Sequence, residues 1–175
     1  FGIIGDISRS GDFMRALEHL EGYRCNSMTL DEGTLLGITV LDFMDDGIME
    51  RGDLVVSLNG EYYTDESDAT SSRSMILDMF ERQGRRFIRS LDGVFNIFIY
   101  DKREKRLLLF NDWAGNHNLF YHFDGRTFIF STEIKGILRI MKEKTVNGKG
   151  IVEQFMFGHM LFDETPVEEI KLLDP

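Results

Sequence analysis

Two pairs of apolar runs, each pair split by a short polar turn, constrain this chain most. Val94 to Tyr100 and Arg106 to Asn111 flank the polar stretch Asp101 to Lys105. Leu119 to Phe123 and Thr127 to Ser131 flank Asp124-Gly125, a pair suited to the positive φ of a tight hairpin turn. Strands joined this closely pair antiparallel, because a parallel crossover needs a dozen or more residues. Further strand-like runs occur at Phe1 to Ile7, Cys25 to Leu30, Thr34 to Asp42 and Leu54 to Leu58. Asn59-Gly60 sits between two extended stretches.

Helical periodicity appears in four places. Asp12 to Leu20 carries Phe13, Met14, Leu17 and Leu20 on one face, with Ser10 or Asp12 as its expected cap. Ser71 to Gln83 carries Met75, Ile76, Met79 and Phe80, and Gly84 is placed to end it. Glu133 to Lys142 is a third helix, and Gly150 to Phe157 a fourth before an irregular tail. Roughly nine strands with three or four helices clustered between strand groups predict the α+β class, not a parallel doubly wound sheet.

A length of 175 residues suits one domain over residues 1–175. Thirty acidic against twenty basic residues give a net charge of −10, which repels phosphate backbones and anionic membrane surfaces. Neither nucleic acid nor membrane is therefore an expected partner, and no apolar run approaches the roughly 18 residues of a membrane span. Cys25 is the single cysteine, which rules out an internal disulfide and fits a reducing compartment, with the cytoplasm as the expected location. The chain opens at Phe1 and stops at Leu173-Asp174-Pro175, which suggests a piece of a longer protein.

Common catalytic motifs are missing. No Gly-x-Gly-x-x-Gly, Walker-type loop or Gly-x-Ser-x-Gly elbow occurs. His19, His117, His122 and His159 lack zinc spacing with each other or with Cys25, so no metal is expected. His117 reads as a solvated turn residue. Cys25 reads as a small buried hydrophobe, since a catalytic thiolate needs a base or helix N-terminus beside it.

Five segments in order carry a resemblance. They are Phe1-Gly2-Ile3-Ile4-Gly5, Leu58-Asn59-Gly60-Glu61-Tyr62-Tyr63, and Leu91-Asp92-Gly93-Val94-Phe95-Asn96-Ile97-Phe98-Ile99-Tyr100-Asp101. The fourth runs from Leu107 through Asn111-Asp112-Trp113-Ala114-Gly115 to Leu119-Phe120-Tyr121, and the fifth is Phe130-Ser131-Thr132-Glu133-Ile134-Lys135-Gly136-Ile137-Leu138. Their order and spacing resemble the class II glutamine amidotransferase domain of asparagine-synthetase-like proteins, an N-terminal-nucleophile hydrolase. The corresponding family patterns include Cys-Gly-Ile-x-Gly, Asn-Gly-Glu-x-Tyr-Asn and Asp-Gly-x-Phe-Ala-Phe-x-x-Tyr-Asp. The resemblance implies a four-layer αββα sandwich with two stacked antiparallel sheets.

It also implies a site. In such domains an N-terminal cysteine attacks the glutamine side-chain amide, its own α-amine serves as base, and preorganised donors hold the oxyanion. An arginine and a carboxylate grip the substrate's α-groups. Here the nucleophile position is Phe1, which has no attacking atom. The arginine aligns with Gly37 and the α-amine-binding Asp with Ser72. The oxyanion-hole pair survives as Asn59 and Gly60, followed by Glu61 as a vestige of the substrate-binding set, although Asn-Gly is also the preferred pair for a tight turn, and the turn reading is favoured. Asp92-Gly93, Asp112 and Glu133 match positions that look architectural.

The expectation is a degenerate glutaminase-like domain ahead of an ATP-dependent amide- or lactam-forming synthetase domain in the same chain. It would act as scaffold or interface without hydrolysing glutamine. ATP and Mg are expected only in that synthetase domain, because the Ser-Gly-Gly-x-Asp-Ser loop of the family's second domain is absent here. A homodimer is a further candidate partner. The alternatives are an active glutamine-hydrolysing domain with a displaced nucleophile such as Cys25, and a stand-alone binding or assembly module.

Overall fold

A computed structural model describes residues 1–18, 21–41, 47–63 and 72–175. The chain divides into two compact units, Phe1–Phe43 with Asn118–Asp174, and Met44–His117 with Pro175. Both are built on antiparallel sheets, so the structure is α+β with two antiparallel sheets and four α-helices among the described residues.

The first unit holds a six-stranded sheet. Its strands are β1 (Gly2–Ile4), β2 (Tyr23–Asp31), β3 (Thr34–Leu41), β8 (Phe120–Phe123), β9 (Phe128–Ser131) and β10 (Lys171–Leu172), in the order β10-β8-β9-β1-β3-β2. The chain's first strand is thus central, between β3 and β9. It is shorter than the expected Phe1 to Ile7, because Gly5 turns the backbone out at φ +114. Helix α1 (Ser10–Leu17) and helix α3 (Ile134–Ile140) lie in this unit, and α4 (Gly148–Phe157) follows them. Phe13 and Leu17 of α1 join Ile137 and Ile140 of α3 in one apolar core with Phe1, Ile3 and Ile129. Arg9 stands at the N-cap of α1 without a side-chain capping bond, in place of the expected Ser10 or Asp12. Arg9 reaches instead to the C-terminal carbonyls of α3, donating to Ile140 O at 2.6 Å and Arg139 O at 2.9 Å. His19 and Leu20, expected near the end of α1, lie outside the described residues.

The second unit holds a four-stranded sheet in the order β4-β5-β6-β7, comprising β4 (Ile48–Arg51), β5 (Leu54–Tyr63), β6 (Asp92–Asp101) and β7 (Arg106–Asn111). Helix α2 (Ser72–Gln83) ends at Gly84, whose φ of +58 continues into a 3-10 turn, Gly84–Ser90. Ile76, Leu77 and Phe87 from this helical stretch pack with Val56, Phe95, Ile97 and Ile99 of the sheet.

The two expected hairpins are present, β6–β7 and β8–β9. Their turns are held by aspartates: Asp101 Oδ1 accepts from the N–H groups of Arg103 and Glu104, and Asp124 Oδ1 from those of Arg126 and Thr127. The expected turn at Asn59-Gly60 is not there. Both residues lie inside β5, opposite Asn96 and Phe95 in a ten-residue register with β6. The two-residue hairpin loop of this region is Gly52-Asp53, which joins β4 to β5.

Candidate functional site

Phe1 extends β1 by one rung. Its N donates to Gly37 O at 2.9 Å, and Gly37 N donates to Phe1 O at 2.9 Å. A reciprocally bonded antiparallel pair places the two side chains next to each other on one face of the sheet. Position 37 contributes no side chain, and the Phe1 ring fills the vacant ground. A Cβ added at Gly37 would lie 2.2 Å from Phe1 Cζ, 2.4 Å from Phe1 Cε2 and 2.9 Å from Asn26 O. The ring is 5% exposed and meets the Phe13 ring at a centroid distance of 5.2 Å. It is therefore wedged between the core and the β3 backbone. Burial pushes the Phe1 α-amine from 8.0 down to about 5, with the Cys25 sulfur opposing that shift.

Cys25 lies opposite Thr39 in the β2–β3 ladder. Its Sγ is 3.3 Å from Thr39 Oγ1 and 3.7 Å from Met14 O, and its backbone N donates to Glu18 Oε1 at 2.7 Å. Burial is the main cause that pushes the thiol upward, with the Thr39 hydroxyl pulling the other way and Glu18 adding to the rise. The side chain packs, partly buried, against the core cluster around Phe1, short of the fully buried hydrophobe of the sequence reading.

Within the second unit, Asn59 and Gly60 occupy the middle of the β5–β6 ladder. Gly60 has φ +102, and a Cβ there would lie 2.2 Å from Val94 O and 2.9 Å from Phe95 Cα. Only glycine permits that approach. Glu61 is exposed and stands opposite Val94. Asn59 shares its rung with Asn96, which shares the next with Asn111, so three carboxamides cross the sheet in a row. Asn96 is fully buried; its Nδ2 donates to His117 O at 3.2 Å, while its Oδ1 is buried without a partner among the described residues. Sequence reasoning passed over Asn96, although a carboxamide inside the apolar run 94–100, where the family pattern has Ala, was a visible signal.

Asp112 organises the loop that follows β7. Its carboxylate accepts from the backbone N–H of Ala114 at 3.1 Å, from Asn116 N and Nδ2, and from His117 N at 3.4 Å. Burial works to raise its pKa, but the N–H donors of Asn116, His117 and Ala114 outweigh burial and hold the carboxyl below its usual 3.8. This is the architectural role expected of Asp112, and His117 serves it through its backbone. Ser72 opens α2, is exposed, and accepts from Tyr62 Oη through its backbone oxygen at 3.1 Å. Thr70 and Ser71, beside it in the expected substrate-binding segment, lie outside the described residues.

Among the described residues no helix is long and apolar enough to cross a membrane. A family model described as a glutamine amidotransferase domain matches residues 38–175. A protein of Methanocaldococcus jannaschii, provisionally named glutamine-hydrolyzing asparagine synthetase 2, is 27% identical over 125 residues, 65% of this chain and 24% of its own length. The glutamine-hydrolyzing asparagine synthetase 2 of Bacillus subtilis is 32% identical over 98 residues, 50% of this chain and 13% of its own. The glutamine-hydrolyzing asparagine synthetase of Brassica oleracea is 28% identical over 100 residues, 50% of this chain and 17% of its own. The matched part thus spans a quarter or less of each relative. With its match running over most of its length, this chain belongs to the glutamine amidotransferase domain family.

Proposed function

We propose that this domain does not hydrolyse glutamine and serves as scaffold and interface for an ATP-dependent amide- or lactam-forming synthetase portion of the same protein. The observation that carries the reading is the Phe1 ring lying where a side chain at position 37 would leave the backbone. An amide carbon finds no nucleophile at Phe1. A substrate carboxylate finds no guanidinium at Gly37, and room for one exists only if the ring leaves. Ser72 has no charge to offer an α-ammonium. Asn59 and Gly60 keep their family identities, and Gly60 holds its place through the close approach of Val94, which needs no catalytic role. ATP and Mg act, on this reading, in the synthetase portion; the residues of this chain include no phosphate-binding loop to hold them.

A second reading has one observation in its favour. The Cys25 side chain packs against the core cluster that contains Phe1, which puts a thiol in the neighbourhood of that residue's α-amine. Against it, burial raises the thiol's pKa, which suppresses the thiolate.

One assay separates the two readings: ammonia release from glutamine by the full-length protein, by its Cys25→Ala variant and by a Phe1→Cys/Gly37→Arg double variant. The expected result for the wild type is release at the background rate. Release at an enzymatic rate that disappears in Cys25→Ala would replace the first reading with the second.

A further inference from the structure

Helix α4 is built inside out. Its inward positions are Gly150 and Glu153, the latter only 8% exposed. Its outward positions include Val152, Phe155 and Met156, at the i, i+3 and i+4 spacing that defines one helical face. Phe155 is 87% and Met156 70% exposed. Ordinary amphipathic helices reverse this order.

The inversion is held in place by specific bonds. Asn147 caps the helix through Oδ1, accepting from Gly150 N at 2.9 Å, and its Nδ2 donates to Glu164 Oε2 at 2.6 Å and Thr165 O at 2.9 Å. A Cβ at position 150 would lie 2.9 Å from Asn147 Nδ2, so glycine lets the helix sit down on its cap. Glu153 accepts from Leu161 N at 3.1 Å, which ties the loop after α4 back to the helix. The next residue, Phe162, is 85% exposed and held at φ +57. A bulky residue in the left-handed region is strained, and such strain collects at functional positions. The polar framework of this segment is thus spent on holding large apolar side chains in water.

We infer that Val152, Phe155 and Met156, with Phe162 exposed on the loop that Glu153 ties to the helix, form the surface on which the synthetase portion of the same protein docks. The inference rests on the scaffold reading above. Two observations choose that occupant over a second copy. The matched relatives have three quarters or more of their length outside the region shared with this chain. A partner in the same polypeptide acts at high effective concentration, so a few apolar anchors suffice. A net charge of −10, by contrast, opposes pairing two copies of this domain through a patch of this size.

The test places the photo-crosslinker p-benzoylphenylalanine at position 155 of the full-length protein and maps the crosslinked peptide by mass spectrometry. The expected product joins residue 155 to a peptide beyond Pro175 of the same chain. Met156→Asp, on the same exposed face, should lower its yield severalfold, since losing one large apolar anchor weakens docking by about tenfold and high effective concentration offsets part of that loss. A crosslink between the α4 segments of two copies, no crosslink in a protein with native circular dichroism, or a gene product that ends at Pro175 would each overturn the inference. Ammonia release measured on the same sample reports separately on the proposed lack of glutamine hydrolysis: activity there removes that reading while the crosslink stands.

Discussion

Adding one methyl group at Gly37 tests whether the Phe1 ring occupies the position-37 space. An alanine Cβ would meet ring carbons at 2.2 and 2.4 Å and the Asn26 carbonyl at 2.9 Å. The ring cannot step aside freely, because it is buried against Phe13 and Ile3 in the core. Gly37→Ala should therefore cost about 3 kcal/mol, as overpacking of a filled core does. Phe1→Ala alone should cost about 3 kcal/mol, the low end for a buried Phe. In the double variant the ring atoms are gone and only the Asn26 carbonyl still crowds the new methyl group. The double variant should then be about 2 kcal/mol more stable than the two single costs summed, a coupling within the range for directly touching residues. Urea unfolding followed by far-UV circular dichroism reads this out. Tryptophan fluorescence is a poor probe here, since the sole Trp, Trp113, is 81% exposed. Additivity within roughly 0.5 kcal/mol would refute the reasoning, because independent sites add to that precision.

Gly60→Ala should destabilise by about 3 kcal/mol or more, combining a strained φ with a backbone oxygen at 2.2 Å from the new Cβ. Gly125→Ala is its control, since Gly125 also has positive φ but nothing within 4 Å, and should cost only about 1 kcal/mol in the same urea titration. Asp112 gives a pH dependence. Its folded pKa is held below 3.8, so its contribution is complete above that value and fades as pH falls through the folded one. Asp112→Asn should lower stability at neutral pH and flatten the acid limb of a stability-versus-pH curve; an unchanged acid limb would refute the assignment.

Turn chemistry was the most legible layer of the sequence. Asp101 and Asp124 bond their own following N–H groups, an interaction local enough to be read from neighbouring residues alone. Asn59-Gly60 shows where local reading fails. The pair has strong turn preference, yet the long register with β6 keeps it extended, and the same positive φ that suits a turn serves here to admit the Val94 carbonyl. β10 was unreadable for a related reason: its two residues become a strand only by pairing with β8, about fifty residues away. α4 was legible as a helix but not in its orientation, because what turns it is the distant cap between Asn147 and the 164–165 carbonyl and carboxylate.

The candidate site was legible residue by residue, and the coupling between those residues was not. An alignment of motifs counts Phe1, Gly37 and Ser72 as three separate departures. The structure joins the first two into one packing arrangement, since the ring and a position-37 side chain compete for the same volume. Ser72 is different: it is exposed at the first turn of α2, where a carboxylate would be welcomed by the helix dipole. Steric fit therefore links the residues at 1 and 37 but not the serine at 72. A domain still selected to hold glutamine would have no structural reason to give up that carboxylate. On the proposed reading, Ser72 bears on substrate binding more directly than Gly37 does, because among the described residues no packing partner fills the position-72 side chain's place as Phe1 does at 37.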